Sequence, residues 1–235
     1  RYIPFIDKSV LNWLDGALIA GRASDVSLRL KGDLKDFPFQ STKGGVFQIA
    51  AKVVDGTLRY AEGWPDISGI DGQLHFDGRR MVVTSNKAMV LGTRVTQAHV
   101  VLPDMFTPER VLAVNGQAEG ATAGFLKYIA QSPLNGLTRG ITANMSAAGN
   151  GRLQLKLDLP LTHLAETKVT GNYQFIGNSL SIDAEWPSVE HLSGRLEFSD
   201  SGVSMRAVNA QFLGGPVAIS SANQRDGSIA VNARG

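Results

Sequence analysis

The sequence contains no cysteine among its 235 residues. Disulfide bonds and thiolate metal sites are therefore excluded, and the chain suits either a reducing compartment or an envelope protein that avoids thiols. Long hydrophobic runs are also missing, since no stretch approaches the ~20 apolar residues that a membrane-spanning helix requires. The chain begins at Arg1 and shows no signal peptide, so we expect it to be part of a longer protein whose anchor and export signal lie elsewhere.

An excess of either charge is missing as well. Lys and Arg number 23 against 21 Asp and Glu, which gives a net charge of +2. No run of like charges marks a surface for nucleic acid, and we predict no nucleic-acid partner. Aromatic residues make up only 7% of the chain. This low content argues against one candidate function, a carbohydrate-binding β-sandwich enzyme or lectin.

Catalytic signatures are not found. The four histidines fall singly and form no HExxH pair; they are His75, His99, His163 and His191. The chain has no Gly-x-Ser-x-Gly elbow, P-loop or dinucleotide-binding glycine fingerprint. Asp183 and Glu185 could share one sheet face, but a repeat within the chain aligns them with Ala61 and Gly63. We therefore predict no catalytic residue, no metal site, no cofactor and no enzymatic activity.

The strongest positive signal is an internal repeat. The segment Leu58–Phe76 aligns without a gap on Leu180–Phe198, at an offset of 122 residues. Six identities recur in this frame, at Leu58/Leu180, Trp64/Trp186, Pro65/Pro187, Gly72/Gly194, Leu74/Leu196 and Phe76/Phe198. The chain holds only three Trp and nine Pro, so two matching Trp-Pro pairs by chance are improbable. Such repetition indicates a repeat protein.

The Trp-Pro pairs are predicted to be structural corner anchors. Proline has no N–H to donate to a β-ladder, so strand pairing should end near Pro65 and Pro187. The preceding residues, Trp64 and Trp186, are held extended and offer a large apolar surface to fix the crossing segment. We expect the chain to leave one strand there and cross to the next.

Most of the remaining sequence alternates as β-strands do. Leu153, Leu155 and Leu157 alternate with polar residues, as expected for a strand with one buried face. Asp55-Gly56 and Asp77-Gly78 are predicted hairpin turns. Helices are predicted over residues 7–20 and over 121–131, where Thr122 is the expected cap.

The predicted division of the chain has four parts. They are an N-terminal amphipathic helix segment (1–26), a first β-repeat with the Trp-Pro core (27–120), a helix and connector (121–150), and a second β-repeat (151–235). Two helices of ~11–14 residues, each ~16–21 Å long, are too short to cover the apolar face of so many strands. The sheet must fold on itself, pair into a sandwich or expose an apolar trough, and burial alone favours neither a closed core nor an open groove.

Several phrases of the sequence resemble the YhdP branch of the AsmA-like proteins. They are Arg1–Pro4 with Leu11–Leu14, GDLKDFPF at residues 32–39, LRYAEGWP at 58–65, Ser132-Pro133-Leu134, and LDLPL at 157–161. The resemblance covers essentially the whole chain. These motifs belong to the structural scaffold and are not catalytic signatures, and the family supplies no catalytic residues.

The resemblance implies a fold, a place and a role. Such proteins are large envelope proteins of Gram-negative bacteria, anchored in the inner membrane by an N-terminal helix. Their periplasmic part is an elongated, curled antiparallel sheet whose hydrophobic groove is thought to carry phospholipids toward the outer membrane. We therefore expect a mainly β fold, a repeating β-groove with two short helices. The expected partners are phospholipid and neighbouring repeats, with membrane contact made outside this chain.

Our first hypothesis is a segment of a periplasmic lipid-transport bridge. The candidate residues of the lipid groove are Leu58, Tyr60, Leu74, Phe76, Leu180, Ile182, Leu196 and Phe198. The alternative is a closed β structural or interaction module whose sheet edges pair with neighbouring domains or a partner.

Overall fold

One antiparallel sheet organises the chain. The computed structural model describes residues 15–39, 44–137, 140–183, 185–200, 202–223 and 229–235. Twelve strands follow one another in spatial order as they do in sequence, and each pairs antiparallel with the next. The expected fold is confirmed: a mainly β chain in one long curled sheet that does not close on itself.

The strands are 6 to 15 residues long. Their bounds are β1 Leu18–Gly32, β2 Gly45–Leu58, β3 Ile67–Asp77, β4 Arg80–Val90, β5 Thr93–Leu102, β6 Val111–Ala121, β7 Ser146–Pro160, β8 Lys168–Ser181, β9 Val189–Ser199, β10 Gly202–Phe212, β11 Gly215–Asn223 and β12 Ile229–Arg234.

Helices are short and gather between the sixth and seventh strands. Their bounds are α1 Thr122–Ala130, α2 Leu134–Leu137 and α3 Ile141–Asn144. Single 3-10 turns lie at Leu34–Asp36 and Leu164–Glu166, after β1 and β7. The predicted helix at 121–131 is thus confirmed, but its cap is not Thr122. Ala121 is the N-cap, and its methyl group cannot accept a hydrogen bond. Thr122 is the first helical residue, and its hydroxyl bonds Asn178 and Tyr173 instead.

The internal repeat extends to six strands and to backbone detail. Strands β3 to β5 begin at residues 67, 80 and 93, and β9 to β11 begin 122 residues later at 189, 202 and 215. The two-residue turns before β5 and β11 are both Leu-Gly with positive φ: 48° and 82° at Leu91 and Gly92, 51° and 84° at Leu213 and Gly214. These values match the type I′ turns that join tight hairpins. The repeating unit is therefore six strands plus the connector that follows them.

Two sequence predictions need correction. Asp55-Gly56 is not a hairpin, because β2 runs through it with Asp55 at a φ of 53°. An Asp-Gly pair supplies positive φ to a bulge as readily as to a turn, and the pairing with β1 and β3 shifts register beside it. The predicted helix 7–20 is helical at residues 15–17, but β1 already begins at Leu18. Residues 7–14 lie outside the described residues.

Few hydrophobic side chains in the described ranges are fully buried. They are Ala17, Phe39, Ala88, Leu102, Tyr173, Leu192, Val208 and Ala210. Three of them form a small cluster in the second repeat, where Leu192, Val208 and Ala210 pack with partly buried neighbours such as Leu180 and Val189. The described strands belong to one sheet, so no second sheet from this part of the chain covers the apolar face.

Candidate functional site

A continuous row of hydrophobic side chains crosses the sheet at right angles to its strands. Each member is the direct cross-strand partner of the next, from β2 to β8. The row consists of Ala51, Leu74, Val83, Val100, Val114, Leu157 and Val169. Six steps of ~4.8 Å between strands make it about 29 Å long. We call this the central apolar row.

Two further rows flank it on the same face. One runs from β4 to β10 through Ala88, Val95, Ala118, Leu153, Tyr173, Leu196 and Met205. The other runs from β1 to β5 through Leu28, Ile49, Phe76, Met81 and Leu102. Together the three rows form a broad apolar face. Every member of the central apolar row is half-buried, neither covered nor fully exposed.

Helix α1 covers the apolar face at one end of the strands. The ring of Phe125 meets the edge of Tyr173 at a centroid distance of 5.0 Å. Tyr128 lies 6.0 Å from Trp64, and its hydroxyl shares a 2.8 Å hydrogen bond with that of Tyr60. Burial raises the pKa of both tyrosines, and for Tyr60 the hydrogen bond with Tyr128 raises the pKa further. Both phenols stay neutral, as an aromatic wall beside an apolar surface requires.

A buried polar network fixes the start of α1 to the sheet. Asn178 is 0% exposed and lies in β8, beside the register shift between β8 and β9. Its amide nitrogen donates to the Thr122 hydroxyl (2.6 Å) and to the Ala148 carbonyl (3.2 Å). Its amide oxygen accepts from the Ile176 N–H at 2.7 Å. The Thr122 hydroxyl also bonds the Tyr173 hydroxyl at 2.8 Å, so the network locks the helix in place.

A second aromatic cluster covers the opposite end of the strands. Phe37 contacts three rings edge-on, those of Phe39, Phe47 and Phe106, at centroid distances of 5.7, 5.1 and 5.9 Å. Arg79 lies 5.3 Å from the centre of the Phe106 ring and donates to Asp104 at 2.9 Å. The hydrogen bond from Arg79 lowers the pKa of Asp104, and the Phe106 N–H contributes to the same shift.

The apolar face is therefore bounded at both strand ends, and no second sheet of the described residues covers it between them. The helix forms one boundary, the phenylalanine cluster forms the other, and the central apolar row runs between the two. Its length of about 29 Å compares with ~15 Å for one leaflet of a bilayer's hydrocarbon core, half of the full ~30 Å. A fully extended acyl chain fits along the row.

The opposite face of the sheet is polar and carries a shallow, open depression of about 730 Å³. A cross-strand row of side chains lines it, formed by Gln97, Gln117, Gln154, Asn172, Glu197 and Ser204. The amides and hydroxyls of this depression keep their water, so the depression cannot shelter hydrocarbon. The apolar face is the candidate functional site.

The predicted groove residues fall into two groups. On the apolar face lie Leu74, Phe76, Leu196 and Phe198, with Leu58 and Leu180 near the strand ends. Tyr60 and Ile182 lie beyond the strands, in the loops after β2 and β8. Whether lipid touches any of them stays a prediction.

The Trp-Pro pairs also lie between strands. Trp64 and Pro65 are in the loop from β2 to β3, and Trp186 and Pro187 are in the equivalent loop from β8 to β9. Trp64 packs against two tyrosines, whereas Trp186 is 68% exposed. Their role as corner anchors stays a prediction, and the surroundings of the two tryptophans differ.

The central members of the apolar row were not singled out from the sequence. Val83, Val100 and Val114 each lie in an alternating strand, which is the signal that could have found them, whereas Leu157 already belongs to the alternation that predicts a half-buried strand. Sequence alone does not reveal the cross-strand register, so the continuity of the row emerges only from the fold. Asn178 carried no signal either, because a single Asn in a strand region is ordinary.

Other kinds of site receive no support from the described ranges. They contain no group of three or more His, Asp or Glu side chains placed to hold a metal ion. None of the helices in those ranges is both long enough and apolar enough to cross a bilayer.

The sequence profile of the YhdP protein family matches residues 1–235. This chain belongs to the YhdP family. A curated relative, the intermembrane phospholipid transporter YhdP of Escherichia coli (strain K12), is 22% identical over 240 residues. The match covers 100% of this chain and 19% of the relative, so the chain spans about a fifth of that protein's length. No solved structure matches the chain.

Proposed function

We propose that this chain is a segment of a lipid-transport bridge, whose apolar face shields phospholipid acyl chains between the inner and outer membranes. The observation that carries the proposal is the half-buried central apolar row, which is continuous over seven strands and which no second sheet of the described residues covers. Large uncovered apolar surfaces on proteins mark binding sites. Membership of the YhdP family and the similarity to the intermembrane phospholipid transporter YhdP of E. coli support lipid as the ligand.

The mechanism requires no reaction. Each CH₂ group that moves from water onto the apolar face is stabilised by ~0.8 kcal/mol. Valine and leucine side chains follow one another along the row at strand spacing, so neighbouring places on the row offer similar surroundings. A lipid can then step along the row without meeting a deep free-energy minimum, while its head group stays in water. We propose a non-enzymatic, periplasmic segment, with membrane contact made by parts of the protein outside this chain.

Photo-crosslinking tests this proposal. Crosslinkers placed at Leu74 and Leu196, on the apolar face, should capture phospholipid in a Gram-negative host. Crosslinkers at His75 and Glu197, the next residues along the same strands, point to the polar face and serve as matched controls. Equal capture by both sets, or capture by neither, contradicts the proposal. Mass spectrometry of the adducts identifies the lipid class.

A second candidate is an interaction module that works through its sheet edges. Strand β1 is exposed along its whole length and pairs only with β2 among the described strands. Strand β12 likewise pairs only with β11 in the part of the chain that the structure describes. Such edges accept further strands. Native mass spectrometry separates the candidates: bound lipid favours the bridge, whereas lipid-free assemblies favour the edge module.

A further inference from the structure

Three side chains that are half-buried in the first repeat are exposed at the equivalent places in the second. The pairs are Trp64 and Trp186, Tyr60 and Ile182, and Leu91 and Leu213, each at an offset of 122 residues. The exposed fractions in the second repeat are 68% for Trp186, 55% for Ile182 and 77% for Leu213. We call these three residues the Trp186 surface. The three pairs occupy equivalent backbone positions but differ in side-chain exposure. This difference indicates that another part of the chain covers these positions in the first repeat and not in the second.

Helix α1 is that cover. Tyr128 contacts both Trp64 and Tyr60. About one helical turn before Tyr128, Gly124 lies close to the Leu-Gly turn. An added Cβ at Gly124 would be 3.6 Å from the Leu91 carbonyl oxygen and 2.6 Å from the Thr93 hydroxyl. The helix thus lies along the strand ends of the repeat that precedes it, held at its start by the network around Asn178.

The position of α1 in the repeat is fixed by strand pairing. Gln117 in β6 pairs with Gln97, and Ala233 in β12 pairs with Ile219, which is the equivalent of Gln97. Gln117 and Ala233 therefore occupy equivalent places. Helix α1 begins at Thr122, five residues after Gln117, so its counterpart in the second repeat would begin five residues after Ala233, beyond Gly235.

We propose that the Trp186 surface is the docking site for an amphipathic helix of the α1 kind, carried by the same polypeptide after strand β12. The occupant follows from the repeat, since the cover of the first repeat is the helix that directly follows its sixth strand. The E. coli relative is long enough to contain such a helix outside the matched region, because the match spans only 19% of its length. Each six-strand unit is then closed by the connector that leads into the next.

The chemistry of the surface specifies the helix further. Ile182 replaces Tyr60, so the hydroxyl hydrogen bond between Tyr60 and Tyr128 has no counterpart. The residue in the place of Tyr128 is therefore expected to be apolar and needs no hydroxyl. The same loop carries exposed Asp183 and Glu185, which favour Lys or Arg on the flank of the docked helix.

Cysteine trapping tests the proposal without interference, because the chain contains no cysteine. A copy of residues 120–183 is appended after Gly235, which places the copied helix in the frame given by the strand pairing. The copy includes β7 and β8, the strands that hold the start of α1. In the first repeat an added Cβ at Gly124 lies 3.9 Å from the Thr93 Cβ, within the ~3.5–4.5 Å that a disulfide needs. The equivalent pair is Gly215→Cys with the copied Gly124→Cys, and Thr93→Cys with Gly124→Cys is the positive control.

We expect the second-repeat pair to form an intramolecular disulfide as completely as the control pair. A matched extension in which the copies of Phe125 and Tyr128 are changed to Ser should lose most of the crosslink. Three outcomes overturn the proposal: no crosslink while the control pair forms, equal crosslinking by the Ser-bearing extension, or a crosslink that disappears on dilution and so joins two molecules.

Tryptophan quenching provides a second measurement that needs no crosslink. In a chain with Trp13→Phe and Trp64→Phe, the emission of Trp186 should be strongly quenched by acrylamide without the extension. With the extension, quenching should fall to the level of Trp64 in the matching chain with Trp13→Phe and Trp186→Phe. Unchanged quenching of Trp186, with Trp64 still protected, means that the chain is folded and the helix does not dock, which overturns the proposal.

Discussion

At the scale of single residues, Asn178 shows how one polar side chain ties a helix to a sheet. A buried amide without partners would destabilise the fold, yet three hydrogen bonds of 2.6–3.2 Å satisfy it. Two of its partners are backbone groups of β7 and β8, and the third is the first residue of α1. The position of α1 over the apolar face therefore depends on a residue that belongs to none of the three apolar rows.

Replacing Asn178 by Ala should lower the free energy of unfolding by about 2 kcal/mol or more, because buried backbone groups lose their partner and a small cavity forms. Urea unfolding followed by circular dichroism measures the change. Asn172→Ala is the matched control, since Asn172 bonds Gln154 at the polar surface and its loss should cost no more than about 0.5 kcal/mol. Similar losses for the two variants would show that the network is not structural.

At the scale of strands and turns, the sequence predicted the β class correctly but mistook a bulge for a turn. Alternating hydrophobicity predicted the β class, the Asp-Gly pair predicted the turn at Asp77-Gly78, and the missing N–H of proline predicted the end of strand pairing near Pro65. The strand bounds confirm all three. It misplaced the turn at Asp55-Gly56, because local sequence specifies positive φ but not whether the chain then reverses. The partner strands decide that, and they are distant in sequence.

Gly194 tests the bulge in the second repeat. Its φ is 141°, and an added Cβ would lie 2.5 Å from the Ala207 carbonyl oxygen and 2.6 Å from the Val208 Cα. We expect Gly194→Ala to destabilise the chain by about 2 kcal/mol or more, since backbone atoms of β10 must move. Gly215→Ala is the control, because its nearest atom is 3.7 Å away. Equal midpoints in urea for the two variants would contradict this account.

The loop after β5 is expected to open in acid. Asp104 has a lowered pKa in the folded chain, chiefly through Arg79, so its stabilising contribution is complete above the unfolded pKa of ~3.9 and is lost as the pH falls through the lower folded value. Protection of the Phe106 amide, which donates to Asp104 at 2.8 Å, should therefore persist to about pH 4 and fall below it. Hydrogen exchange corrected for intrinsic rates measures this.

Removing Arg79 should move that transition. In Arg79→Gln the folded pKa of Asp104 rises toward its unfolded value, so Phe106 should lose protection at a higher pH. Arg80→Gln changes the same net charge one residue away and should leave the profile unchanged. A common profile for both variants would mean that Arg79 does not hold the loop.

For the whole molecule, the main property is the single apolar face that lies between two aromatic boundaries. The sequence showed too little helix to cover the strands but could not decide between a closed core and a groove, since both have the same alternation. The fold adds the cross-strand register, in which residues from seven strands align in one row, and among the described residues no second sheet covers that row. The continuity of that row is a property of the assembled sheet, and the lipid proposal depends on it.

A single charge should therefore interrupt lipid binding if it is placed on the row. Leu157 lies in the central apolar row between Val114 and Val169, and Lys156 lies beside it on the polar face. In Leu157→Glu, an acyl chain crossing β7 must desolvate a carboxylate without a partner, which costs well over the ~1.4 kcal/mol of a tenfold loss in affinity. Lys156→Glu places the same side chain one residue away, on the face that stays in water.

We expect native mass spectrometry of the purified chains to show at least about tenfold less bound phospholipid for Leu157→Glu, and no comparable loss for Lys156→Glu. Circular dichroism should show both folded, because Leu157 is only half-buried and a carboxylate there reaches water when no lipid is bound. Equal lipid occupancy in the two variants would place the lipid elsewhere on the molecule. Loss in Lys156→Glu alone would move the site to the polar face and its depression.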